Sequence, residues 1–144
     1  MVRAMPFYIV LDTSSFMQHA TYPDLKGKRV LITGGGSGIG AAIVEAFASQ
    51  GSQVLFLDIA EDESRALEKK LSGNAIPPRF FKCDLTDIPG VQAMMARLEK
   101  EFGSVQILVN NAANDDRHEV GEITADYWDQ RIAVNLRHQF FCAQ

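Results

Sequence analysis

The most informative part of the sequence is Arg29-Val30-Leu31-Ile32-Thr33-Gly34-Gly35-Gly36-Ser37-Gly38-Ile39-Gly40. It opens with a short apolar run of branched side chains at 29–32, which is typical of a strand buried on both faces. A glycine-rich loop follows, and apolar residues then recur at helical spacing until Gly51. Because glycine lets backbone amides approach a ligand closely and a helix N-terminus attracts anions, this order predicts a pyrophosphate site.

Outside this stretch, strand and helix patterns alternate along the chain. Short apolar runs predict further strands at 53–57, 79–83 and 105–109. Helical spacing predicts helices at 61–71, at 91–102 and from Thr124 to the last residue. Such alternation predicts an α/β, doubly wound parallel sheet of the Rossmann-like kind, with right-handed crossovers. The strand order 3-2-1-4 satisfies it, and strands 5 and 6 of the full arrangement have no counterpart here.

The chain is predicted to contain one domain, because its 144 residues are about the usual length of one. Residues 1–24 precede the alternation and carry one short apolar run, at 7–11, which is too short for a secretory signal. We therefore expect residues 1–24 to be a flexible N-terminal extension. Residues 25–144 are then a dinucleotide-binding, Rossmann-like domain.

Composition and charge exclude several classes of protein. The formal net charge is −4 and no Lys/Arg cluster exceeds Lys69–Lys70, so no nucleic-acid partner is expected. No apolar run approaches the roughly 20 residues that cross a bilayer, so no membrane partner is expected. Cys83 and Cys142 have neither disulfide nor zinc spacing. We expect no metal site and plain thiols in a reducing, cytoplasmic compartment.

A carboxylate stands at the end of the second predicted strand. Asp58 is placed where a side chain accepts hydrogen bonds from both ribose hydroxyls of an adenosine and repels a 2′-phosphate, which favours NAD over NADP as cofactor. Ser37, in the glycine loop, supplies no cation for such a phosphate, and the loop lacks the Lys-Ser/Thr ending of nucleoside triphosphatases. Two plainer interpretations stay open: a tight turn with surplus glycine, and an Asp58 that only faces the dipole of the next helix.

Four motifs follow one another along the chain. They are Thr33-Gly34-x-x-x-Gly38-Ile39-Gly40, Cys83-Asp84-Leu85, Asn110-Asn111-Ala112-Ala113 and Val134-Asn135-Leu136. In this order they resemble the motifs of the short-chain dehydrogenase/reductase family. Shorter matches at 22–28, 56–60, 76–78, 114–118 and 135–138 resemble the bacterial NAD-dependent D-xylose 1-dehydrogenases of that family. The resemblance implies an oxidoreductase that oxidises a sugar, an aldopentose such as D-xylose, at C1 to the lactone, with hydride transfer to NAD.

The resemblance also implies roles for individual residues. The pyrophosphate is expected against the loop residues Thr33, Gly34, Gly36, Ser37, Gly38, Ile39 and Gly40. The adenosine is expected against Asp58, Ile59, Asp84 and Leu85, and the nicotinamide-side ribose against Asn110 and Ala112. Asn111 is expected to brace the sheet, and Ala113 departs from the family's usual glycine. Asn135 is the implied catalytic residue, because the matching asparagine of the family holds a helix kink and a water of the proton relay. The alternative is that its side chain only bends the helix by bonding to the backbone.

One family feature does not occur in these 144 residues. Family chemistry needs a serine on the next strand and a Tyr-x-x-x-Lys on the next helix, whose tyrosine acts as general acid–base. The sequence contains no Tyr-x-x-x-Lys. We therefore expect this chain to be the cofactor half of a dehydrogenase and to be inactive alone. We also expect its fourth strand to have an unpaired edge, which promotes association with another chain. The resemblance implies a homo-oligomer for the full-length enzyme.

Several alternatives remain at this point. One is a non-catalytic NAD-binding or interaction module, and another is a Rossmann-like methyltransferase, whose loop Gly36-x-Gly38-x-Gly40 also fits. The segment 114–118 follows the carboxyl end of the fourth strand, where open α/β sheets bind ligands. It either contacts sugar hydroxyls or is a solvated acidic loop.

Overall fold

A four-stranded parallel sheet lies at the centre of the domain, with helices on both faces. The computed structural model describes residues 20–144. The strands are β1 (Arg29–Thr33), β2 (Gln53–Asp58), β3 (Arg79–Lys82) and β4 (Ile107–Asn110). The helices are α1 (Gly38–Ser49), α2 (Glu61–Lys70), α3 (Ile88–Phe102), α4 (Ala125–Ile132) and α5 (His138–Ala143), and a π-helical segment, Ala133–Arg137, joins the last two. Short 3-10 turns lie at Pro23–Leu25 and Val120–Glu122.

The strands pair in the order β3-β2-β1-β4, and every pair is parallel. In the middle of β1, Leu31 lies beside Leu55 of β2 and Leu108 of β4. The predicted α/β, doubly wound sheet of order 3-2-1-4 is confirmed. Because the strands all run the same way, their carboxyl ends, which include Thr33 and Asp58, meet at one edge of the sheet. Open α/β sheets bind their ligands at that edge.

Both faces of the central strands are buried. Val30, Ile32 and Phe56 pack on one face against α1 and α2, in a cluster that includes Val44 and Leu67. The other face is covered by α3 and α5, and its buried residues include Leu31, Leu55, Leu57, Val91 and Leu98. Since successive residues of a strand face opposite sides, burial of both sides explains why β1 and β2 read as continuous apolar runs.

The fourth strand begins later than its sequence pattern indicates, at Ile107 rather than at residue 105. The residues before it are attached to Arg29 instead. The Nε of Arg29 donates to the Ser104 carbonyl at 2.7 Å, and its backbone amide donates to Gln106 Oε1 at 3.1 Å. Val105 packs against the core on the α3 side. The apolar pattern therefore identified the segment, whereas these long-range bonds decide where the strand pairing starts.

The last predicted helix begins where expected but is not a uniform α-helix. Thr124 caps it, because its Oγ1 accepts a hydrogen bond from the amide of Tyr127 at 3.2 Å. Between α4 and α5 the backbone adopts the wider π-helical form at Ala133–Arg137, with Asn135 at the centre. Such π segments are frequent at functional sites. The irregularity coincides with the position at which the resemblance implies a helix kink.

Contacts of the N-terminal segment begin before the predicted domain boundary at residue 25. The amide of Tyr22 donates to Gln50 Oε1 at 2.8 Å, and Gln50 Nε2 donates to the Ala20 carbonyl at 3.1 Å. These bonds hold residues 20–22 against the end of α1. The prediction of a flexible extension over residues 1–19 lies outside the described residues.

Within residues 20–144 no helix is long and apolar enough to cross a membrane, and no three His, Cys, Asp or Glu side chains converge as metal ligands would. Cys83 and Cys142 are free thiols on the α3 side of the core. Burial raises the pKa of Cys83, and it raises the pKa of Cys142 to about 11. Both thiols therefore stay protonated, and so weakly nucleophilic, at neutral pH.

The first residue of α5 makes stability depend on pH. His138 is fully buried, and neither ring nitrogen has a hydrogen-bond partner among residues 20–144. Burial lowers the pKa of His138 from its ordinary 6.5, and the nearby carbonyls of Val134 and Ala133 oppose the shift only in part. The unfolded chain therefore binds this proton at a higher pH than the folded chain does. The resulting contribution to stability is complete above pH 6.5 and is lost as the pH falls through the folded-state pKa.

We expect His138→Leu to flatten this pH dependence. Between about pH 6.5 and 5, the unfolding free energy of the wild type should fall with each pH unit. The fall in the variant should be smaller, by up to ~1.4 kcal/mol per pH unit. Urea unfolding at several pH values measures it. His118→Gln supplies a comparison, because it removes an imidazole that is exposed and lies outside the core. Equal slopes for His138→Leu and the wild type would contradict the assignment.

Candidate functional site

The glycine loop lies at the carboxyl edge of the sheet, between β1 and α1, and is attached to β2. The amides of Gly34 and Gly35 donate to the Leu57 carbonyl at 2.8 and 3.2 Å. The next amide, that of Gly36, donates to Asp58 Oδ2 at 2.8 Å. Three consecutive loop amides thus bind the end of the neighbouring strand, which fixes the course of the loop before any ligand is present.

The helix that follows the loop presents free backbone donors. The helix α1 begins at Gly38, and Ser37 before it forms no side-chain cap. The first amide that bonds back into the helix is that of Ala41, to the Ser37 carbonyl at 3.1 Å, so the amides of the first turn have no helical acceptor. A Cβ at Gly38, whose φ is +52°, would meet nothing within 4 Å. The space at Gly38 is open and its neighbours Ser37 and Ile39 are exposed, whereas Gly40 is buried. An anion such as a pyrophosphate can therefore approach the exposed start of the helix.

Asp58 joins the loop to the start of α2. Its Oδ2 accepts from Gly36, and its Oδ1 accepts from the amide of Ala60 at 2.9 Å. A carboxylate has about four acceptor positions, so each oxygen keeps one for a ligand hydroxyl. The contact with Ala60, which precedes α2, corresponds to the plainer interpretation of Asp58, and it leaves the ribose interpretation open. Ile59 beside it is 67% exposed and adds an apolar surface at the same edge.

Thr33 and Asn111 join the carboxyl ends of β1 and β4. The buried hydroxyl oxygen of Thr33 accepts hydrogen bonds from the amides of Asn111 at 3.0 Å and Ala112 at 3.1 Å. The side-chain Nδ2 of Asn111 donates to the carbonyls of Thr33 at 3.1 Å and Gly34 at 2.9 Å. The structure therefore gives Asn111 the bracing role that we expected. It also places Ala112 directly against the glycine loop, next to the exposed Asn110.

Removing the Thr33 hydroxyl should weaken this joint. Thr33→Val keeps the shape of the side chain but leaves the amides of Asn111 and Ala112 without their acceptor. We expect a loss of about 2 kcal/mol of unfolding free energy, measured by urea denaturation. Thr33→Ser keeps the oxygen and is the matched control, with an expected loss of less than about 1 kcal/mol. The interpretation fails if the valine variant is as stable as the serine variant.

The loop after β3 carries the residues predicted to face an adenine. Asp84 Oδ1 accepts from the hydroxyl of Thr86 at 2.7 Å and from its amide at 2.8 Å. These hydrogen bonds lower the pKa of Asp84 and keep it ionised. Leu85 is only 7% exposed and belongs to the core cluster beneath α3. Of this pair, Asp84 is the exposed residue at the carboxyl edge, and Leu85 mainly anchors the loop.

Asn135 binds the segment after β4 and not its own helix. Its Oδ1 accepts from the amide of Asn114 at 2.7 Å, and its Nδ2 donates to the Asn114 carbonyl at 3.0 Å. Gln139 Nε2 donates to the Asn135 carbonyl at 2.7 Å, within the region where the π segment disturbs the usual helical bonding. The side chain therefore couples the irregular helix to the edge of the sheet.

The structure brings the predicted site residues to the carboxyl edge of the sheet, with Asn135 attached there through Asn114. The sequence did not predict the contacts that Tyr127 and Arg131 make with the segment after β4. A signal for them existed, because positions 127, 131 and 135 share one face of a helix. Nothing local to those residues, however, indicates what that face touches.

Two curated sugar dehydrogenases are similar to this chain in sequence. A D-xylose 1-dehydrogenase of Caulobacter vibrioides is 56% identical over 128 residues, which are 89% of this chain and 50% of that protein. A probable galactose dehydrogenase of Rhizobium meliloti is 49% identical over 124 residues, which are 85% of this chain and 48% of that protein. The chain spans about half the length of these curated relatives.

Solved structures and the family model point the same way. The ligand-free aldohexose dehydrogenase of Thermoplasma acidophilum matches with a TM-score of 0.71 at 33% identity, covering 85% of this chain and 44% of that chain. A variant short-chain dehydrogenase/reductase of Serratia marcescens matches with a TM-score of 0.77 at 34% identity, covering 85% of this chain and 50% of that chain. The family model described as short chain dehydrogenase matches residues 28–144, which confirms the resemblance stated from the motifs. The chain belongs to the short-chain dehydrogenase/reductase family.

Proposed function

We propose that this chain is the cofactor-binding part of an NAD-dependent sugar dehydrogenase. In that reaction a sugar, an aldopentose such as D-xylose, is oxidised at C1 to the lactone. The observation that carries the proposal is the placement of two groups at one edge of the sheet: the free amides at the start of α1 and the Asp58 carboxylate at the end of β2. The hydrogen bond from the Gly36 amide to Asp58 links the loop before α1 to that carboxylate. The names of the relatives from Caulobacter vibrioides and Rhizobium meliloti support a sugar as the substrate.

Each part of the cofactor has a proposed contact in this chain. The amides at 38–40 donate to the pyrophosphate, and Asp58 accepts from the hydroxyls of the adenosine ribose beside Ile59. The other proposed contacts are Thr33, Gly34, Gly36 and Ser37 around the loop, Asp84 and Leu85 near the adenine, and Asn110 and Ala112 at the second ribose. When bound, NAD supplies the acceptor for the hydride that leaves C1 of the sugar.

Asn135 is proposed to act by positioning. Both polar atoms of its side chain bind the backbone of Asn114, so its side chain holds the segment beside the substrate and does not reach the sugar itself. We propose that the groups which move the proton of the sugar hydroxyl lie outside these 144 residues, since the sequence contains no Tyr-x-x-x-Lys.

Fluorescence titration with NADH, run beside NADPH, tests the cofactor part of the proposal. We expect saturable NADH binding and weaker NADPH binding. A folded sample that binds neither NAD nor NADH at about 1 mM would overturn it. A non-catalytic NAD-binding module, which the missing Tyr-x-x-x-Lys favours, would also bind NADH. Reduction of NAD in the presence of D-xylose by the full-length gene product separates the enzyme from that module.

We also propose that the protein is a homo-oligomer. Four large apolar side chains at intervals of four residues are exposed along α4, the π segment and α5: Trp128 at 60%, Ile132 at 36%, Leu136 at 58% and Phe140 at 65%. A second copy of the chain would remove this contiguous apolar face from water. Sedimentation should detect a dimer or larger species at micromolar concentration, and Leu136→Asp should shift it towards monomer. A monomeric wild type would contradict the proposal.

A cytoplasmic location completes the proposal. Protein thiols stay reduced in the cytosol, and the structure has Cys83 and Cys142 as free thiols. Fractionation of cells that express the natural gene tests it, with recovery outside the cytosol as the contrary result.

A further inference from the structure

The polar segment 114–118, which follows β4, is attached to one face of α4 and the π segment. The helical residues that hold it are four positions apart and so lie on one side of the helix: Tyr127, Arg131 and Asn135. The residues that they hold occupy alternate positions in the segment: Asn114, Asp116 and His118. The two series run in opposite directions, so that 114 meets 135, 116 meets 131 and 118 meets 127.

Polar contacts fix the first half of the segment. Asn135 makes two hydrogen bonds with the backbone of Asn114, as described above. Arg131 Nη2 donates to Asp116 Oδ2 at 3.0 Å, and the Arg131 side chain is only 20% exposed. The Arg131 guanidinium lowers the pKa of Asp116, so this ion pair persists across the neutral range.

Aromatic contacts fix the second half. The ring of His118 packs edge-on against Tyr127, with ring centroids 4.5 Å apart. The Arg131 guanidinium carbon lies 4.6 Å from the centre of the same Tyr127 ring. Tyr127 and Arg131 therefore support each other as well as the segment, and the three pairs act along its whole length.

The residues between the anchored positions are free to meet a ligand. Asp115 and Arg117 alternate with the residues that face the helix, and both are exposed. Neither side chain forms an ion pair with any other residue in 20–144. A carboxylate accepts hydrogen bonds from hydroxyl groups, and a guanidinium donates several in a fixed fork. A carboxylate and a guanidinium can together bind neighbouring hydroxyls of a polyol, and the segment follows the carboxyl end of β4, where open α/β sheets bind ligands.

We propose that Tyr127 and Arg131 hold the segment 114–118 in place so that Asp115 and Arg117 contact hydroxyl groups of the sugar substrate. This inference rests on the proposed sugar dehydrogenase function. Asp115 and Arg117 touch the sugar, whereas Tyr127 and Arg131 are positioning residues. A segment that is anchored before binding loses less conformational entropy when the sugar arrives, which raises affinity without any new contact.

Titration of the ¹⁵N-labelled chain with D-xylose, with and without NADH, tests the recognition part. We expect amide shifts concentrated at 115–119. Asp115→Asn and Arg117→Gln should each raise the Kd for D-xylose at least about fivefold and leave the NADH affinity unchanged. Asp62→Asn, in the exposed first turn of α2, is the control and should change neither affinity.

Exchange of backbone amides with solvent tests the positioning part. Arg131→Gln should raise the Kd for D-xylose at least about threefold and speed exchange at the amides of Asn114 and Asp116, whereas Arg131→Lys should recover part of both. Arg137→Gln is the matched control, because Arg137 donates to the Thr86 carbonyl and does not contact the segment.

The possible failures are distinguishable. A wild-type chain that binds NADH but not D-xylose overturns the proposal and leaves the cofactor site intact. Shifts outside 115–119, or Kd values for D-xylose that Asp115→Asn, Arg117→Gln and Arg131→Gln leave unchanged, also overturn it. A chain that binds no NADH contradicts the proposed function instead, and the titration without NADH still decides the role of the segment.

Discussion

Replacement of Asp58 by asparagine is expected to change the preference between NADH and NADPH by about a hundredfold. In the proposed function the Asp58 carboxylate accepts hydrogen bonds from both ribose hydroxyls and repels a 2′-phosphate. A neutral amide at this position would accept those bonds less well and would no longer repel the phosphate. We expect the Kd for NADH to rise about tenfold and the Kd for NADPH to fall by a similar factor. Parallel fluorescence titrations of the two cofactors measure both values.

A neighbouring carboxylate separates this effect from a change in net charge. Asp62 lies in the exposed first turn of α2, and Asp62→Asn removes the same charge without touching Gly36 or Ala60. We expect it to leave the preference unchanged. Asp58→Asn leaves one side-chain oxygen to accept hydrogen bonds from the amides of Gly36 and Ala60, where the wild type has two. Thermal unfolding must therefore confirm that the variant is folded at the titration temperature. An unchanged preference in a folded Asp58→Asn variant would refute ribose recognition by this side chain.

Gly40→Ala is expected to destabilise the domain by about 3 kcal/mol or more and to abolish NADH binding. A Cβ at this position would collide with the carbonyl oxygen of Gly34 and would lie 2.7 Å from Asn111 Nδ2. The obstacle is backbone, held by the bond from Asn111 to the Gly34 carbonyl, so it cannot move aside as a flexible side chain does. Circular dichroism during urea unfolding measures the loss.

Two other glycines provide controls for the same substitution. A Cβ at Gly73 or at Gly121 would meet nothing within 4 Å, and neither has a positive φ. We expect Gly73→Ala and Gly121→Ala to change the unfolding free energy by less than about 0.5 kcal/mol and to retain NADH binding. A Gly40→Ala variant as stable as these two would show that the first turn of α1 is not packed against the glycine loop as described.

The candidate site was predictable where its chemistry is local to one stretch of chain. The glycine loop was evident because the glycines, the preceding apolar strand and the following helix are contiguous, and Asp58 was evident because it ends a strand. The bond from Gly36 to Asp58 was not predictable, since it joins two strand ends that meet only in the sheet. The contacts of Tyr127 and Arg131 were missed for the same reason.

The sequence predicts the alternation of strands and helices, and hence the parallel sheet, because hydrophobic periodicity is a property of neighbouring residues. It also determined the glycine loop, since only glycine permits that backbone course. Three features depend on long-range packing: β4 starts at Ile107, Thr33 and Asn111 join two strands, and segment 114–118 lies on α4. Each of these features pairs groups that are far apart along the chain. The packing of the whole domain, and no local pattern, brings such groups together in space.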